Sequence, residues 1–72
     1  MGNNVIQVEI FFNDVEITIN GKKYNAELNA FKKSEIGKSI IEQGHKFEDF
    51  LGNGNGVDIT IVNGNVIRIN KD

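Results

Sequence analysis

Apolar and polar residues alternate along the first eight positions after the N-terminal Met1-Gly2-Asn3-Asn4. In Val5-Ile6-Gln7-Val8-Glu9-Ile10-Phe11-Phe12 the even positions Ile6, Val8, Ile10 and Phe12 form one apolar face, the signature of a strand with one side buried. Asn13-Asp14 reads as a two-residue turn, and beyond it Val15, Ile17 and Ile19 are apolar while Glu16 and Thr18 are polar. That loop length would oppose Phe12 with Val15, Ile10 with Ile17, and Val8 with Ile19. Asn20-Gly21 is the strongest hairpin signal in the chain, because both residues tolerate the positive φ of a tight turn. It pairs Ile17 with Tyr24 and Val15 with Ala26, leaving Lys23, Asn25 and Glu27 beside Thr18 and Glu16 on the wet face. Three strands near 5–12, 15–19 and 22–28 follow.

The middle of the chain has helical spacing. Asn29 or Ser34 caps a start, and Ile36, Ile40 and Ile41 lie on one stripe. Gly37 weakens the first turn by about 1 kcal/mol relative to alanine, and Gly44 suits a stop after Gln43. Phe47, Phe50 and Leu51, at i, i+3 and i+4, predict a further short helical turn. The run Gly52-Asn53-Gly54-Asn55-Gly56 reads as a flexible connector.

The last hairpin poses a question of parity. Val57, Ile59, Ile61, Ile67 and Ile69 are all odd-numbered, and opposed residues share a face, so the loop must hold an odd number of residues. A plain Asn63-Gly64 turn would oppose Ile59 with Arg68 and is rejected. A loop of Val62-Asn63-Gly64 instead opposes Ile59 with Ile67, Val57 with Ile69 and Asp58 with Arg68, with Asn63-Gly64-Asn65 as the second choice.

The element order is then βββαββ in a single α+β domain spanning 1–72: an antiparallel or mixed five-stranded sheet with one helix packed on one face. A β-grasp-like sheet with an extra N-terminal strand also fits, as does a small OB-like barrel. The stretch Val15-Glu16-Ile17-Thr18-Ile19-Asn20-Gly21-Lys22-Lys23-Tyr24 resembles the opening hairpin of several bacterial β-rich domains, β-grasp ones among them. It implies no particular family.

Composition narrows the function classes more than it selects among them. The net charge of −2 lacks the strong basic field of most nucleic-acid binders, and the absence of cysteine excludes disulfides and thiolate chemistry. No apolar run approaches the roughly 20 residues needed to span a bilayer, nor is there a basic, then apolar, leader. A cytoplasmic location is expected, with no membrane partner. Isoleucine and asparagine occur eleven times each, a bias towards AT-rich codons that points to a low-GC bacterium or its phage.

Sites with chemistry are sparse. The Gly52–Gly56 run follows a helix and precedes a strand, the reverse of a phosphate cradle, and no P-loop lysine follows it. His45 has Glu42, Glu48 and Asp49 for neighbours but sits at a helix break, where a solvated histidine is the simpler reading. The hydroxyls of Thr18, Tyr24, Ser34, Ser39 and Thr60 fall in no nucleophile motif. No catalytic residue, metal ligand or cofactor site is assigned, and an enzyme is not expected.

Misfit apolar residues are more informative. Val5 and Phe11 fall on the outer face of the first strand, and Val62 and Val66 at the outer face or tip of the last hairpin. An exposed Phe near Val marks a protein interface. The expectation is a small non-enzymatic protein-binding module, an accessory or inhibitor protein that docks on a larger protein or associates with itself. The alternative is an OB-like oligonucleotide-binding domain, which Lys22-Lys23 and Lys32-Lys33 support only weakly in the absence of stacking aromatics.

Overall fold

The computed structural model describes residues 4–49 and 56–71. Strands β1 (Val5–Phe11), β2 (Asp14–Ile19) and β3 (Lys22–Glu27) lead into helices α1 (Leu28–Lys33) and α2 (Glu35–Glu42). A 3-10 turn at Phe47–Asp49 follows, then β4 (Val57–Val62) and β5 (Asn65–Lys71). The strands form one antiparallel sheet in the order β3-β2-β1-β4-β5, an α+β arrangement with β1 at its centre. With β3 and β5 as its two edges the sheet is open, so the OB-like closure expected as the alternative is not what the chain adopts.

Alternation sorts the two faces as the pattern predicts over most of the sheet. Val8 and Ile10 of β1, Val15 of β2, and Val57, Ile59 and Ile61 of β4 are buried in one cluster with Phe31, Ile40 and Phe47. Removing that many large apolar side chains from water is the main term holding so short a chain together. The Phe31 and Phe47 rings meet edge-on with centroids 5.9 Å apart, the arrangement favoured by their quadrupoles. The opposite sheet face carries no buried side chain among the described residues.

Two hairpins differ from the sequence reading. The first turn is Phe12-Asn13, not Asn13-Asp14: Phe11 opposes Asp14, and Ile10 opposes Val15. A shift of two residues keeps every side chain on its face, so the pattern could not detect it. Phe12 leaves the core and becomes a turn residue at φ 56. The last turn is the rejected Asn63-Gly64 pair, with Val62 opposite Asn65 and Ile61 opposite Val66. Parity is restored by a register shift beside Thr60/Ile61, so Ile59 opposes Ile69 and Thr60 opposes Arg68. Ile67 is expelled from the core and 63% exposed, while Asp58 faces Asn70 rather than Arg68. Val66, expected at the outer face or tip, packs against the core instead.

The helical segment is two helices rather than one. Ser34 ends α1 and caps α2, its hydroxyl accepting from the Gly37 N–H at 3.2 Å and donating to the Phe31 carbonyl. Asn29 lies inside α1, whose N-cap is Glu27, without a side-chain cap bond. Gly44, at φ 93, terminates the helix as expected. Its N–H bonds the Ile41 carbonyl at 3.0 Å and the His45 N–H bonds that of Ile40 at 3.3 Å, the paired bonds of a Schellman stop. The expected helical turn near Phe47 is the 3-10 segment; Phe50, Leu51 and the connector 52–55 lie outside the described residues.

Candidate functional site: the open sheet face and its phenylalanine tip

The open face is built from the odd residues of β1 and their cross-strand partners, and the registers arrange it in rows. One row crosses all five strands as Asn25, Glu16, Glu9, Asp58 and Asn70. Its centre is three adjacent carboxylates, with Glu9 opposite Glu16 on one side and Asp58 on the other. Like charges directly opposed across strands destabilise a sheet. The next row towards the first turn holds Glu27, Asp14 and Phe11. In the other direction Lys23, Thr18, Gln7, Thr60 and Arg68 place cations only on the edge strands. The Lys23 ammonium lies 3.9 Å from the Glu16 carboxylate with both side chains well exposed, a contact of little energetic weight. Thr60 donates to the Gln7 side-chain oxygen at 3.2 Å.

Phe11 and Phe12 stand at the end of this face. Phe11 is 50% exposed and Phe12 66%, and their rings pack edge-on at 4.6 Å. Phe11 also lies close over Gly56, where a Cβ would come within 3.3 Å of the ring and 3.2 Å of the Ile10 carbonyl. Phe11 therefore stands over a backbone position whose φ of 93 disfavours a side chain and where one would crowd the ring. Beside it a shallow depression is lined by Glu9, Phe11, Asp14, Glu16 and Asn25, which presents one aromatic face among carboxylates.

Of the interface residues expected from the sequence, Val5 (40% exposed), Phe11 and the half-buried Val62 do lie on the outer face. Val5 and Val62 are direct cross-strand partners, remote from Phe11 at the other end of β1. Val66 does not join them. Sequence reasoning missed the exposure of Phe12, Tyr24, Ile41 and Ile67. For Phe12 and Ile67 the cause is an alternation that a turn and a register shift interrupt.

His45 is half-buried past the end of α2. Among the described residues, no three or more metal-ligating side chains come together, and no polar or charged side chain is buried. No described helix is long and apolar enough to cross a membrane. Comparison of the chain with protein-family models, curated proteins and solved structures finds no match.

Proposed function

We propose that the chain is a small non-enzymatic protein-binding module that docks on a larger protein through the open face of its sheet, with Phe11 as the anchor. The observation that carries this reading is the Phe11–Phe12 pair: two adjacent aromatic rings, both at least half exposed, held edge-on at a turn. Large exposed aromatics cost solubility and are the side chains that dominate binding energy when a partner covers them. Phe12 adds a second argument, because a bulky residue at positive φ is a strained choice that asparagine or glycine would relieve. The surrounding carboxylates favour a partner that presents basic residues. An accessory or inhibitor protein of a low-GC bacterium or its phage, acting in the cytoplasm, fits this size and surface. Oligonucleotide binding has less support, since the centre of the open face is a row of three carboxylates.

The test is affinity capture from the host lysate with the parent chain and with Phe11→Ser as baits. A polypeptide retained by the parent and lost by the variant is expected, with the variant's melting temperature within about 4 °C of the parent's. Identical capture by the two baits rejects the anchor role, and a collapse in stability makes Phe11 a structural residue.

A further inference from the structure

We infer that β3 is the seam of a symmetric dimer in which two copies of this chain join their sheets edge to edge. The sheet has two open edges, and they are not equivalent. On β5 the pairing is broken beside Thr60/Ile61, and the Gln43 side chain already occupies local backbone groups. On β3 six consecutive residues, Lys22 to Glu27, stay in register with β2 without interruption. A regular edge with free N–H and C=O groups is a template for another strand.

The Asn20-Gly21 turn fixes which groups are free. Both residues have positive φ, 52 and 81, and a two-residue turn makes its flanking pair, Ile19 and Lys22, a hydrogen-bonded pair. Bonded and non-bonded pairs alternate from there, so the N–H and C=O groups of Lys23 and Asn25 and the N–H of Glu27 point away from β2, the Glu27 carbonyl serving the first turn of α1 as its N-cap. An antiparallel partner that keeps the open face of both copies on one side must oppose odd residues with odd and even with even. Two registers with a five-residue overlap satisfy this. One centres on Tyr24, opposes the two tyrosines and leaves Lys23 facing Asn25. The other centres on Asn25 and is complementary throughout. Lys23 then faces Glu27 of the second copy at both ends of the seam, and Tyr24 covers Ala26 of the second copy on the inner face. Asn25 exchanges backbone bonds with its own counterpart, and each Glu27 N–H donates to the Lys23 carbonyl across the seam.

The side chains fit the same picture. Tyr24 is 51% exposed although it lies on the inner face, and Ala26 beside it is half-buried. Lysine on an edge strand repels most foreign strands, whereas a copy of this chain brings Glu27 to meet it. The seam is one strand wide, which places it among the small interfaces of weak, transient association. In the dimer the two open faces become one surface with a Phe11–Phe12 tip contributed by each copy.

Sedimentation equilibrium from about 1 µM to 1 mM tests this, with an average mass rising from 8.0 kDa towards twice that value expected. Lys23→Glu and Glu27→Lys each place like charges opposite one another twice in the Asn25-centred register, so each alone should weaken association about tenfold. An equimolar mixture of the two variants regenerates both opposite-charge pairs and should associate as the parent does. Asn25→Pro removes an N–H that β2 does not use, so it should fold, as judged by circular dichroism, and stay monomeric. A parent that remains a single chain at 1 mM overturns the dimer. So does association that survives Asn25→Pro in the folded variant, or a mixture no tighter than its two components.

Discussion

Phe12 shows what a single position contributes beyond its hydrophobicity. Among the described residues, three other than glycine have positive φ: Phe12, Asn20 and Asn63. The asparagines are ordinary choices there, since a short polar side chain bonds locally and tolerates the left-handed region. Phenylalanine has no such compensation, and it is two-thirds exposed. Phe12→Gly should therefore stabilise the fold by about 0.5–1 kcal/mol, a rise of a few degrees in melting temperature by calorimetry, while reducing partner capture. A loss of stability instead would mean that the Phe11 ring contact outweighs the backbone term. Phe11 itself was legible from parity, because it is odd-numbered on a strand whose even positions are buried. Phe12 was not, because alternation carries no mark of where a strand stops.

Among the elements, the helical segment is where local preference and packing diverge most. By propensity Gly37→Ala should gain about 1 kcal/mol. In the fold a Cβ at Gly37 would collide with the Phe31 carbonyl oxygen and lie 2.9 Å from the Lys32 Cα, because α2 begins against the end of α1. Both obstacles are backbone, so Gly37→Ala should lose at least about 2 kcal/mol by urea denaturation. A neutral result would mean that the two helices can separate at Ser34 at little cost. The β4–β5 hairpin teaches a related lesson. Asn63-Gly64 forms the tight turn that its residues favour, at φ 51 and 83, and the parity conflict is absorbed one step along the strands. That shift is held from outside the hairpin. The Gln43 amide donates to the Gly64 carbonyl at 2.9 Å and its oxygen accepts from the Val66 N–H at 2.8 Å. Parity arithmetic assumed that loop length alone must reconcile the faces, and so it placed Ile67 inside.

On the scale of the whole molecule, the sheet has one face in the core and one in solvent, and the solvent face concentrates negative charge on its central strands. Glu9→Gln breaks the row of three carboxylates and should raise stability by about 0.2–1 kcal/mol at low salt. Because the repulsion is between exposed groups, added sodium chloride should raise the parent's melting temperature more than the variant's and narrow the gap. If the two proteins respond equally to salt, the row carries no repulsion, and its support for a basic partner goes with it.

What the sequence determined by itself was the sorting of faces, the Asn20-Gly21 hairpin, the stop at Gly44 and the outward placement of Val5 and Phe11. These depend on short-range rules: a period of two in strands, positive φ at turns, and an unpaired helix end that needs a particular cap. The first hairpin's two-residue change of register, the break at Ser34, the need for Gly37 and the expulsion of Ile67 were decided only in the folded molecule. Each depends on contacts between segments remote in sequence or on the path of the backbone in space, such as Gln43 reaching the last hairpin or α2 starting against α1. Alternation can say which way a side chain points, but only packing determines what it meets there.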